Sequence, residues 1–196
     1  YHLNNLFIHL GVISLIFIFC IELRLNRLTA FTAALLFGLH PMHVESVAWA
    51  TERKDVLYAL FYLASMVVYL KFLNSERRKI YYVLALILGF LSMLSKPMAV
   101  SLPLVLLLID FLKGRTDIKQ CVIDKIPFLL YIIPLAKLTH AQNASAYVVD
   151  PSAWQAVQIC IWTFSFYIHK FFMPTVYFPF YEVPPPTDFP SGPYWL

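Results

Sequence analysis

The densest group of reactive side chains in this chain is His40-Pro41-Met42-His43-Val44-Glu45-Ser46, followed by Glu52-Arg53-Lys54-Asp55. His40, His43 and Glu45 offer nitrogen and oxygen donors of the kind that hold a divalent cation. Their H-x-x-H spacing is not a standard zinc pattern, so a turn whose histidines cap helices is the alternative. Arg53 and Lys54 suit a phosphate, or else belong to an exposed Glu-Arg-Lys-Asp face that pairs with itself. Lys96 lies between two apolar runs beside Pro97. It either snorkels to the membrane surface or pairs with a lipid phosphate or an acidic catalytic residue.

Other chemistries find little support. P-loop, G-x-G-x-x-G, G-x-S-x-G and H-E-x-x-H patterns are all missing, and five glycines leave no Gly-rich phosphate cradle. Cys20, Cys121 and Cys160 are scattered and odd in number, giving neither a disulfide framework nor a metal spacing. Asn4, Asn5 and His9 share a helix face and are expected to bond to a neighbouring helix. Asp110 is expected to pair with Lys113 at i, i+3. His169-Lys170 lies in an aromatic segment whose orientation is open, and Asn143-Ala144-Ser145 is a glycosylation sequon with meaning only in a eukaryote.

The elements that position these groups are apolar helices. Of 196 residues, 60% are hydrophobic and 13% charged, with a mean hydropathy of +0.70. A soluble domain has about 25% charged residues, so a water-soluble core is excluded. The net charge of +4 lies in short clusters between apolar runs and reads as membrane topology, with no nucleic-acid partner implied. A span needs about 20 apolar residues. Candidate spans are 3–21, 28–44, 56–72, 80–95, 98–112, 126–138 (short, interrupted by Pro134) and 154–173, read as one partial transmembrane domain over 1–196. The purely apolar part of the second run, 28–39, covers only about 18 Å at 1.5 Å per residue. Either that helix stops short or His40 and His43 lie at the membrane surface. Both readings put polar chemistry in a recess.

Beyond that recess, Glu45, Trp49 and Glu52 fall at helical spacing, which predicts a short interfacial helix anchored by Trp49. The clusters Arg24/Arg27, 71–79 and 113–125 hold ten of the fifteen Lys and Arg residues, and two crossings separate each from the next. That side is read as cytoplasmic. The opposite side receives 40–55, Lys96-Pro97 and 139–152. A single helix over 80–112 would break this parity, so a hairpin at Lys96-Pro97 is expected. The stretch from Pro174 holds seven of the 13 prolines and is expected to be extended or looped. The chain opens at Tyr1 with neither a Met nor a signal-peptide pattern and reads as a piece of a longer protein.

The motif over 40–49 with Glu52-Arg53-Lys54-Asp55-Val56-Leu57 resembles a hallmark of one membrane family, the transmembrane and tetratricopeptide-repeat O-mannosyltransferases and their bacterial relatives. Tyr1-His2-Leu3-Asn4-Asn5, Ser95-Lys96-Pro97-Met98, Leu102-Pro103 and Leu108-Ile109-Asp110 resemble further landmarks in the same order. The resemblance is close to about Asp110 and looser to about Tyr181. It implies an all-α, multi-pass, GT-C-like bundle, present in part. It further implies a glycosyltransferase that moves a sugar from a polyprenyl-phosphate donor to an acceptor hydroxyl, on a protein among other acceptors, at the non-cytoplasmic face. By this resemblance Arg53, Lys54 and Lys96 bind the lipid phosphate, while His40, His43 and Glu45 form a metal or polar site for a divalent cation. The acidic catalytic motif is expected upstream of Tyr1, and tetratricopeptide repeats downstream. The partners implied are membrane lipid, the lipid-linked sugar and a protein acceptor. A bacterial inner membrane is the expected location, with the endoplasmic reticulum membrane as alternative. A flippase or transporter of lipid-linked sugars, or a non-catalytic scaffold, would use the same recess without chemistry.

Overall fold

The computed structural model describes residues 2–49, 52–76, 78–143 and 153–173. The stretch from Pro174 and most of the sequon lie outside the described residues. Every regular element among the described residues is helical. The chain divides into two compact units, Tyr1–Asn143 and Ala144–Leu196.

The first unit begins with α1 (His2–Glu22) and α2 (Arg27–Leu39). A 3-10 turn (Pro41–His43) and the short α3 (Val44–Ala48) lead to α4 (Arg53–Asn74). Then come α5 (Arg78–Ser95), a 3-10 turn (Pro97–Ser101), α6 (Leu102–Leu112), α7 (Ile118–Ile123) and α8 (Ile126–Asn143). The described part of the second unit is α9 (Ala153–Phe172). On α9 the Lys170 ammonium lies over the Phe166 ring.

The boundaries follow from local chemistry. Asn26 caps α2, its Oδ1 accepting from the Thr29 N–H at 2.7 Å. The helix stops at Leu39, because Pro41 cannot continue it but can open the next turn. Of the two readings of this segment, the helix therefore stops short. The expected interfacial helix ends at Ala48 rather than reaching Glu52. Trp49 turns extended, and its carbonyl accepts from the Asn5 side chain at 3.2 Å. Pro134 does not interrupt α8, which runs through it to Asn143. Helices in apolar surroundings tolerate proline where neighbours re-satisfy the freed carbonyl.

Helices α1 and α4 are long and apolar enough to cross a membrane, whereas α2 and the runs Lys79–Ser95 and Pro97–Leu112 are shorter apolar helices. Many large apolar side chains point outward, among them Leu28, Leu36 and Leu39 on α2 and Leu104 and Phe111 on α6. Such faces suit lipid as solvent. The core joins α4, α5, α6 and α8 through Tyr69, Leu70, Ala85, Leu102, Leu106 and Phe128. Serines tie the central pair together. Ser65 donates to the Ala85 carbonyl at 2.8 Å, and Ser92 to the Tyr58 carbonyl at 3.1 Å.

Contacts between helix ends define two poles of this unit. Lys96, at the end of α5, meets Asp55 at the start of α4. Asp110, near the end of α6, meets Tyr69 in the last third of α4. The chain therefore reverses between α5 and α6. Residues 40–55 and Lys96 form one pole, here the motif pole; Arg24, Lys113, Arg115 and Lys125 belong to the other, the basic pole.

Candidate functional site

The motif pole is built on one face of α1. Asn5 and His9 are four residues apart and both are buried. The Asn5 amide bridges two segments, since Nδ2 donates to the Trp49 carbonyl and Oδ1 accepts from Arg53 Nε at 3.4 Å. His9 Nε2 donates to the Gly38 carbonyl at 3.3 Å, which fixes its tautomer and ties α1 to the end of α2. The passage is close here, because a Cβ at position 38 would lie 2.6 Å from the tip of the Ile13 side chain, which would have to shift. Asn4 is exposed and does not share in these bonds.

The histidines form a ring cluster. His43 packs on Phe37 with centroids 4.1 Å apart and lies 5.8 Å from His9 and 5.9 Å from His40. His40 Nδ1 accepts from the Met42 N–H at 3.3 Å, the capping role that the proline turn creates for it. His43 Nδ1 is buried without a hydrogen-bond partner among the described residues. Glu45 is exposed on α3. No group of three His, Cys, Asp or Glu side chains among the described residues converges as metal ligands would. His40, His43 and Glu45 are thus not gathered into a ligand set among the described residues.

The three expected phosphate ligands cluster at the start of α4 and the end of α5. Arg53 and Lys54 open α4, where the unsatisfied N–H groups of the first turn favour an anion. Lys54 is exposed and lies 3.4 Å from Glu52. Lys96 Nζ donates to Asp55 Oδ1 at 2.6 Å, and both side chains are about three-quarters buried. Asp55 is thus the acidic partner of Lys96, a pairing 41 residues apart in sequence. The readable signal was an acid and a base at the same end of adjacent apolar runs. Arg53 also lines a groove of about 320 Å³ with Asn4, Phe7, Ile8 and Leu57. A cation at the end of an apolar groove matches an amphiphile with an anionic head.

Sequence reasoning missed the partners of Asp110. Lys113 does not pair with it; its Nζ donates instead to the Glu22 carbonyl at 2.7 Å. Asp110 is 1% exposed and Lys125 2% exposed. Lys125 donates to both Asp110 and Tyr69. Tyr69 Oη donates to Asp110 at 2.9 Å, and Arg115 lies 3.3 Å from Asp110 and 2.8 Å from Asp124. Burial pushes the Lys125 ammonium down, against the pull of Asp110. Burial also disfavours the Arg115 charge, but Asp124 and Asp110 raise its pKa on balance. Two acids and two bases neutralise one another here, a structural staple between α4, α6 and the start of α8.

The model of the family described as dolichyl-phosphate-mannose-protein mannosyltransferase matches residues 3–140. The chain belongs to that family. The matched stretch contains every residue of the motif pole. The mouse protein O-mannosyl-transferase TMTC3 is 39% identical over 71 residues, which is 36% of this chain and 8% of that protein. The nematode (Caenorhabditis elegans) protein O-mannosyl-transferase F38B6.6 is 28% identical over 181 residues, 86% of this chain and 25% of that protein. The fruit-fly (Drosophila melanogaster) protein O-mannosyl-transferase Tmtc1 is 31% identical over 120 residues, 60% of this chain and 14% of that protein. The chain thus spans a quarter or less of the length of these mannosyltransferase relatives. No solved structure matches it.

Proposed function

We propose that this chain is part of a GT-C-type membrane glycosyltransferase, mannosyltransferase-like, that takes a sugar from a polyprenyl-phosphate donor. The acceptor is a hydroxyl, on a protein in the reading that the relatives' names favour. The supporting observation is the placement of Arg53. It is anchored by Asn5 at the start of α4, one turn from the Lys96–Asp55 pair, at the end of an apolar groove. In this reading the lipid tail follows Phe7, Ile8 and Leu57, and the phosphate sits against Arg53 and Lys54.

Charge on the departing lipid phosphate grows as the sugar–phosphate bond breaks, so fixed cations stabilise the transition state more than the ground state. Arg53 suits this role, because a planar fork of donors takes two phosphate oxygens at once. Lys96, held by Asp55, adds positive charge in a fixed place. A carboxylate base that takes the acceptor proton would come from outside this chain. The motif pole faces the non-cytoplasmic side and the basic pole the cytoplasm. A bacterial inner membrane and an endoplasmic reticulum membrane both permit that arrangement.

The test uses the full-length protein in membranes, with transfer of labelled mannose from a polyprenyl-phosphate mannose as the readout. Arg53→Ala and Lys96→Ala are each expected to abolish transfer while membrane insertion stays intact. Unchanged transfer in both variants would sink the assignment. Arg53→Lys is expected to keep part of the activity, since the charge remains without the fork.

A further inference from the structure

We infer that the basic pole carries a second site, one that takes the phosphate of an anionic ligand. The inference does not depend on sugar transfer. A cavity of about 610 Å³ opens there, between the ends of α1, α4 and α6. Arg24, Lys113 and Arg115 line it together with Asn74, and Leu23, Phe72, Leu73 and Leu112 supply apolar wall. Cations above an apolar wall, at the end of a membrane bundle, match a phosphate-bearing headgroup with hydrocarbon below it.

The ordinary explanation for three cations at the C-terminal ends of α1 and α6 is compensation of the helix dipoles or pairing with nearby acids. These account for two of the three. Lys113 donates to the Glu22 carbonyl near the end of α1, and Arg115 is held by Asp110 and Asp124. Arg24 remains. Its guanidinium has no hydrogen bond or ion pair among the described residues.

The backbone at Arg24 adds an independent observation. Residues 24 and 25 close α1 with a paired cap, Arg24 N–H to the Ile21 carbonyl at 2.8 Å and Leu25 N–H to the Cys20 carbonyl at 3.1 Å. The end of α6 repeats this cap, with Gly114 N–H to Phe111 and Arg115 N–H to Asp110. The residue that turns left-handed is Gly114 in one cap (φ 72°) and Arg24 in the other (φ 67°). This position favours glycine, because a Cβ there crowds the following carbonyl. At α1 the chain holds a cation in a backbone conformation that disfavours it, beside a cavity lined by two more cations. An anion in that cavity would draw on the Arg24 fork and on the ammonium charge of Lys113 beside it, which no carboxylate among the described residues pairs.

The substitution that tests this is Arg24→Gly, which removes the charge and relaxes the cap, so the variant is expected to fold at least as well as the parent. Full-length protein in detergent would be titrated with dioctanoyl phosphatidic acid and, separately, dioctanoyl phosphatidylcholine. Binding of the phosphatidic acid, with about a tenfold loss in Arg24→Gly, is the expected result. Arg27→Ala, a cation of the same pole that does not line the cavity, is expected to change binding less than twofold. Equal binding of both lipids, no loss in Arg24→Gly, or an equal loss in Arg27→Ala would each overturn the site. Inorganic phosphate decides the source. Full competition at millimolar phosphate assigns the pocket to a free anion, and no competition assigns it to a lipid headgroup.

Discussion

Asp110 shows how a residue's sequence neighbours mislead about its partner. Lys113 stands one helical turn away, the natural local choice, yet the carboxylate is buried against Lys125 and Tyr69 while Lys113 reaches α1. Nothing local distinguishes the two lysines; the difference is the packing of α8 against the core, which sequence spacing does not reveal. Removing one member of such a pair leaves a buried charge without its counter-ion. Asp110→Asn is expected to cost about 3–5 kcal/mol of stability, whereas the double replacement Asp110→Leu with Lys125→Met costs much less. Thermal unfolding of the intact protein in detergent reads both, and equal losses would contradict the pairing. The pair at the motif pole, about a quarter exposed, should behave differently. A double-mutant cycle on Lys96→Ala and Asp55→Ala is expected to give a coupling on the order of 1 kcal/mol. Lys96 had been legible as a cation in an unusual place; Asp55 had looked like one member of a charged surface run.

At the level of elements, the helix limits were readable wherever a proline or a cap set them. Pro41 ends α2, Pro97 ends α5, and Asn26 starts α2 with its own side chain. Pro134 misled, because a proline's lost bond matters less once a helix is packed among others. The break after Ala48 was illegible for a related reason. There the Asn5 side chain reaches the Trp49 carbonyl, a bond between residues 44 apart. Helix approach can be tested at Gly89 on α5. A Cβ there would lie 2.5 Å from the Tyr131 hydroxyl on α8 and 2.8 Å from the Leu102 side chain. Gly89→Ala is expected to destabilise the protein by about 1–3 kcal/mol. Gly11→Ala, which meets only the tip of Leu60 at 3.1 Å, should cost less. Unfolding midpoints of the two variants check the order, and a reversed order would argue against the α5–α8 contact.

For the whole molecule, the sequence and the structure meet in the separation of two poles. Charge clusters alone grouped Arg24, Lys113 and Lys125, and helix-end contacts bring the same residues together on one end. Single cysteines at Val44 and Gly114 in the full-length protein are expected to react with a membrane-impermeant thiol reagent from opposite sides of sealed vesicles. Labelling of both from one side would refute the topology. The bond from Asn5 to Arg53 has a consequence for whatever chain leads into α1. That chain is on a leash fastened at the motif pole. A carboxylate carried ten residues ahead of Asn5 stays within about 35 Å of that anchor even when fully extended, and a folded loop holds it far closer. In the proposed reading, a base carried on such a chain would need no docking partner to find the proposed phosphate ligands. Covalent connection alone would supply a high local concentration at the groove.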